Sequence, residues 1–61
     1  MRYDITTRAG GQYLGAYDGA TEDDAVEALA RDAGYHDTAH EAQVLETTPE
    51  ALRADLIVVS A

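Results

Sequence analysis

The stretch "TEDDAVEALARDAGY", Thr21 to Tyr35, holds a start, an apolar stripe and a stop for one helix. Thr21 has the chemistry of an N-cap, because its hydroxyl can accept a bond from a backbone N–H that the first turn leaves free. Asp24 stands where a capping box places its reciprocal partner, with Asp instead of the usual Glu. At about 100° per residue, Val26, Leu29 and Ala33 share one stripe, with Ala25 and Ala30 at its edges. Asp23, Asp24, Glu27 and Arg31 fall on the opposite side. Gly34 occupies the left-handed position that ends a helix, and Tyr35 is placed to pack back over Leu29 and Ala30. In a chain of 61 residues, this one amphipathic helix leaves room for little more than the surface it rests on.

The flanking segments supply strands. "MRYDITTR" alternates, with Met1, Tyr3 and Ile5 on one side and Arg2, Asp4 and Thr6 on the other, the period of a half-buried strand. "QYLGAYD" alternates again, with Leu14 and Ala16 on one face and Tyr13, Gly15 and Tyr17 on the other. Gly10 and Gly11 between them tolerate the positive φ of a tight turn, so the pair reads as a β-hairpin. "TAHEAQVL" reads as a short second helix with Thr38 as cap and Glu41 as its box partner. "TPEALR" reads as a further helical turn, capped by Thr48 with Pro49 in the first helical position. "DLIVVS" is a β-branched run without alternation, the pattern of a strand covered on both faces or central in its sheet. The expectation is one α+β domain over 1–61. It has a β-hairpin, one long amphipathic helix, short helical turns and a C-terminal strand. The three strands form an antiparallel sheet in the order 2-1-3, with the helix on one face.

Composition narrows the function. A chain this short buries only about 60% of the surface that its unfolded form exposes. No cysteine is present to reinforce it. The net charge is −8, from twelve acids against four arginines, with no lysine. Such a surface repels nucleic acid and anionic membrane and attracts a basic partner. The plain alternative is solubility, since net charge of this size keeps a small domain dispersed. No run reaches the roughly 18 apolar residues of a membrane span, and "MRYDITT" lacks the apolar stretch of a signal peptide. The location expected is cytoplasmic.

Local structure explains some acids. Glu22, Asp23 and Asp24 in the first turn complement the helix dipole, and Glu27 precedes Arg31 by four residues in the favourable order. Asp32 sits at the helix C-terminus, where the dipole disfavours it, and Asp18 and Asp37 lie just outside the helix. The partner-binding residues expected are therefore Asp23, Asp24, Glu27, Asp32, Asp18 and Asp37. Tyr13 and Tyr17 join them if Leu14 faces the helix, because tyrosine suits interfaces. A cross-strand pair shielding a wet sheet face would explain the two tyrosines without a partner.

Catalytic and metal chemistry find little support. His36 and His40 are four apart in "HDTAHE", but the pattern supplies no third ligand and no zinc-protease order. Cysteine and lysine are absent, and Ser60 is the only serine. The glycines at 10–11 precede a strand rather than a helix, so they form no phosphate cradle. The expectation is no enzyme activity, no metal and no cofactor.

At "GQYLGAYDGATEDDAVEALARDAGY" the chain resembles a scattered group of small uncharacterised bacterial and mobile-element proteins. These share a Y-L-G-x-Y-like hairpin strand, a Thr or Ser cap and a helix close to E-E-A-L-x-A-x-A-R-D-A-G-Y. The likeness covers Tyr13 to Tyr17 and Thr21 to Tyr35 and is most specific at Ala30 to Tyr35. It implies no activity and carries no catalytic residue. The helix start is also similar to that of HicB-type antitoxin domains, without their additional strand or DNA-binding extension. In size, charge and lack of a catalytic site the chain resembles anti-CRISPR proteins. The function expected is a non-enzymatic acidic protein-interaction module, an anti-CRISPR-like phage or mobile-element inhibitor of a basic, nucleic-acid-handling host protein. It would contact neither nucleic acid nor membrane directly. Two other roles fit the composition: a small antitoxin-like or regulatory domain, with a homodimer as one form, and a housekeeping domain whose acidity is salt adaptation.

Overall fold

The hairpin, the helix and the C-terminal run all form, and the two short helical segments lie between the helix and the last strand. The computed structural model describes residues 1–61. Its order is β1 (Arg2–Thr7), β2 (Tyr13–Asp18), α1 (Glu22–Asp32), α2 (Thr38–Val44), α3 (Pro49–Ala54) and β3 (Leu56–Ser60). The sheet is antiparallel with β1 in the centre, in the order β2-β1-β3.

α1 starts and stops as its sequence requires. The Thr21 hydroxyl accepts from the Asp24 N–H at 3.2 Å. The Asp24 carboxylate reaches back one residue further than a capping box does, accepting from the Ala20 N–H at 3.2 Å. At the other end the Tyr35 N–H donates to the Ala30 carbonyl and the Gly34 N–H to the Arg31 carbonyl, both at 3.1 Å. Gly34 has φ 101°, the left-handed value that this two-bond ending needs. The buried stripe runs through Ala25, Val26 and Ala30, whereas Ala33 is exposed. Tyr35 meets the His40 ring edge-on at 5.7 Å.

The core is small. Tyr3, Ile5, Ala25 and Val26 form one buried cluster, with Leu14, Tyr17, Leu29, Leu56 and Val58 packed around it. Ile5 is the one large side chain that is fully buried. The period-two reading of β1 thus holds, with Tyr3 and Ile5 inward.

β2 departs from simple alternation. Ile5 is opposite Gly15, but the next residue, Thr6, is opposite Tyr13, so Leu14 is an extra residue in a bulge. Gly15 takes φ 135°, a conformation closed to most side chains. The bulge lets Leu14 and Tyr17 both pack on the core, and it places Tyr13 alone on the opposite face. The expected sharing of one face by Tyr13 and Tyr17 is therefore corrected.

Two further expectations change. The N-cap of α2 is Asp37, whose carboxylate accepts from the His40 N–H at 2.8 Å; Thr38 is the first helical residue. β3 is neither central nor covered on both faces. It is an edge strand, with Ile57 37% and Val59 55% exposed.

Candidate protein-binding surface

α1 and α3 form the walls of an open groove. Thr48 caps α3 through the Ala51 N–H at 3.1 Å, and Pro49 begins it. One turn on, Arg53 reaches across to α1. Its guanidinium donates to Glu22 at 2.7 Å and approaches Asp23 at 3.6 Å. The groove has a volume of about 220 Å³ and is lined by Asp23, Val26, Glu27, Thr38, Glu50 and Arg53, among others. Glu22 and Asp23 thus share one guanidinium, Glu27 and Glu50 line the groove beside it, and Asp23 remains almost fully open to water. Exposed ion pairs of this kind contribute about 0–1 kcal/mol, so an incoming cation could displace Arg53 at small cost.

The other acids singled out by sequence are dispersed and mostly engaged. Asp18 pairs with Arg2 at 3.3 Å across the hairpin. Asp24 and Asp37 are capping groups. Asp32, disfavoured by its own helix dipole, accepts the Tyr17 hydroxyl at 2.7 Å. Glu27 makes no pair with Arg31. Its carboxylate turns to α2, accepting the Thr38 N–H at 3.3 Å and also the Thr38 hydroxyl. Glu27 is half-buried, so the view of it as a solvent-facing acid is corrected. The structure brings Asp23 and Glu27 together in the groove and leaves Asp18, Asp32 and Asp37 outside it.

Glu50 and Arg53 escaped the sequence reading as groove residues, because they meet Asp23 only where α3 comes beside the start of α1. One signal was available. With four basic side chains against twelve acids, adjacent acids at a helix start call for a distant arginine. The carboxylates with neither a hydrogen bond nor an ion pair are Glu41, Glu46, Glu50 and Asp55, all in the C-terminal half. Three of the four arginines are engaged, and Arg31 is exposed without a partner. Arg2 and Arg53 are paired, and Arg8 donates to the Ala54 carbonyl at 3.1 Å.

Two tyrosines feel neighbouring carboxylates. Tyr17 has its pKa raised by donating to Asp32, then by burial and the Asp32 charge. Tyr13 is raised chiefly by donating to Asp4 at 3.0 Å. The His40 Nδ1 accepts the His36 N–H at 3.1 Å, and the two rings stand 4.8 Å apart. No group of three or more potential ligands is placed to hold a metal. No helix is long and apolar enough to cross a membrane.

No family model matches the chain, and no curated protein or solved structure does. The likeness at Ala30 to Tyr35 rests on its motif alone.

Proposed function

We propose that the chain is a non-enzymatic acidic protein-interaction module of the cytoplasm. Its partner is a basic, nucleic-acid-handling host protein, as for an anti-CRISPR-like phage or mobile-element inhibitor. The reading takes α1 as one long amphipathic helix across one face of the sheet, with its acids toward the partner. One observation carries it: of the four arginines, Arg2 and Arg53 pair with neighbouring acids and Arg8 bonds a backbone carbonyl, which leaves Arg31 as the one unpaired guanidinium, while Glu41, Glu46, Glu50 and Asp55 stay unpartnered. The partner therefore meets an exterior of nearly one sign. Such a field steers association, weakens with salt and needs no catalytic residue.

The groove between α1 and α3 is the focus of this surface, because a guanidinium already occupies it. An arginine of the partner replaces Arg53 there. The test compares Asp23→Lys with Glu50→Lys, both lining the groove, against Glu46→Lys with Asp55→Lys, both outside it. Each pair shifts the net charge equally. Binding of a synthetic arginine-rich peptide is measured by calorimetry at low and moderate salt. The groove pair is expected to weaken binding at least tenfold more than the control pair. Equal weakening would leave net charge alone as the cause, the outcome that salt adaptation of a housekeeping domain would produce.

A further inference from the structure

The two edges of the sheet are unlike. β2 carries a bulge, a glycine at φ 135° and a charged end at Asp18. These are the devices by which natural sheets discourage pairing with another chain. β3, "LIVVS", has none of them: no charge, no proline and no bulge. In a chain carrying −8, an exposed, neutral, β-branched edge is the feature that folding alone explains least.

The register shows which backbone groups that edge leaves open. Arg8 and Asp55 are opposed and bonded, as are Arg2 and Ala61, through the Arg8 N–H at 2.6 Å and the Ala61 N–H at 2.9 Å. Bonded and non-bonded pairs alternate along an antiparallel ladder. Ile57 and Val59 thus direct their N–H and C=O groups toward β1. Leu56, Val58 and Ser60 direct theirs outward, away from the sheet. The side chains of Ile57 and Val59, opposite Thr6 and Asp4, lie on the face away from Tyr3 and Ile5.

We infer that β3 pairs antiparallel with β3 of a second copy of this chain, about a two-fold axis at Val58. This register sets Val58 against its own copy and Leu56 against the copy's Ser60, so every outward N–H and C=O finds a partner. Ile57 then opposes the copy's Val59 in a non-bonded pair, where side chains approach most closely. The exposed apolar pairs from the two copies form one cluster across the seam. The contact is self-complementary, as a two-fold dimer requires. Charge leaves β3 as the edge along which two copies meet most easily, since β2 ends in Asp18. Two chains of −8 repel, but the paired strands themselves are neutral: the two Asp55 carboxylates fall at opposite ends, about 20 Å apart, and Asp4, opposite Val59, lies one strand back and accepts the Tyr13 hydroxyl. A seam of this length buries less than the roughly 800 Å² per partner of a stable dimer, so the association is weak and reversible. The dimer is independent of the acidic groove, and its test uses the chain alone.

Sedimentation equilibrium from about 10 μM to about 1 mM, in enough salt to shrink the Debye length below about 5 Å, is expected to show a monomer–dimer equilibrium. Val59→Lys should weaken it at least tenfold while leaving the melting temperature unchanged, because that side chain is 55% exposed. The added lysine lowers the net repulsion, so the loss reports on the seam. The register has its own test, since the chain has no cysteine. Mixing Ile57→Cys chains with Val59→Cys chains under mild oxidation should give a mixed disulfide faster than either variant alone. A monomer throughout, a dimer undiminished by Val59→Lys, or Val59→Cys cross-linking to itself as readily as to Ile57→Cys would each overturn the inference.

Discussion

Tyr17 shows how far a single side chain can travel from its expected role. Alternation places it beside Tyr13 on an open face, but the extra residue at Leu14 turns it to the core, where its hydroxyl serves Asp32. Tyr17→Phe should cost up to about 1 kcal/mol, because the bond has a charged acceptor but remains reachable by water. The same contact has a pH signature. The folded-state pKa is raised above its ordinary value of 10.0. The stabilisation is thus complete below about pH 10 and lost as pH rises through the raised value. Ultraviolet titration should show the latest-ionising tyrosine transitions moving down when Asp32→Ala removes the acceptor and its charge. Glu27 gives the second test at this scale. It holds Thr38 by two bonds, so Glu27→Lys should cost about 1–3 kcal/mol through donors left without an acceptor. Asp23→Asn gives up a loose ion pair and one first-turn charge and should cost no more than about 0.5–1 kcal/mol. Urea melts of the two variants would separate them, and equal costs would mean that Glu27 contributes no more than charge. Neither residue's role was legible in sequence, because each depends on a partner more than ten positions away.

Whole elements were read more truly, where their signals are local. The cap, stripe and ending of α1 lie within fifteen consecutive positions, and Thr21 and Gly34 do what their chemistry implies. α2 was misread by one residue at its start because Asp37 and Thr38 can both cap, and Glu27 decides between them by engaging Thr38. The exposure of β3 was not legible because a run without alternation is also how a covered strand reads. The end of α2 was hidden for another reason. It repeats the ending of α1, with the Thr47 N–H on Ala42 and the Glu46 N–H on Gln43, but Glu46 takes the left-handed place at φ 58°. A glutamate pays a steric cost there that glycine avoids. Glu46→Gly is therefore expected to raise stability by about 0.5–1 kcal/mol, which in a domain of this size is roughly 2–8 °C in Tm. Gly34→Ala should lower stability by about 1 kcal/mol, since a Cβ there meets no atom within 4 Å and the penalty is the backbone conformation itself. Differential scanning calorimetry should find shifts of opposite sign. Two shifts of the same sign would contradict the common ending of the two helices.

For the molecule as a whole, a thin core is set against a large charge. Six residues are buried, three of them alanine, and one large side chain is wholly enclosed. A chain of this length has a stability of only about 3–9 kcal/mol on the usual scale per residue. Against it stand twelve carboxylates, of which Asp18, Glu22 and Asp23 meet an arginine. Hydrogen bonds to Tyr17, Thr38 or a backbone N–H satisfy lone pairs without removing charge. The remaining acids therefore repel one another across a body 30 × 23 × 17 Å in extent, distances that one or two Debye lengths span at low ionic strength. Added salt should screen this repulsion more than it weakens the three exposed pairs, each worth about 0–1 kcal/mol. The melting temperature at pH 7 is accordingly expected to rise by several degrees between about 0.02 M and 1 M sodium chloride, as the Debye length falls from roughly 20 Å to 3 Å. Most of the rise should come below about 0.2 M, where screening changes fastest; a rise growing steadily at high salt would instead report the general strengthening of apolar burial. Replacing Glu41, Glu46, Glu50 and Asp55 by their amides should reproduce part of the gain at low salt and flatten the remaining curve. A Tm that falls with salt would show that the local pairs outweigh the net charge, and the acids would then have to be regarded as a stabilising network rather than a source of net repulsion.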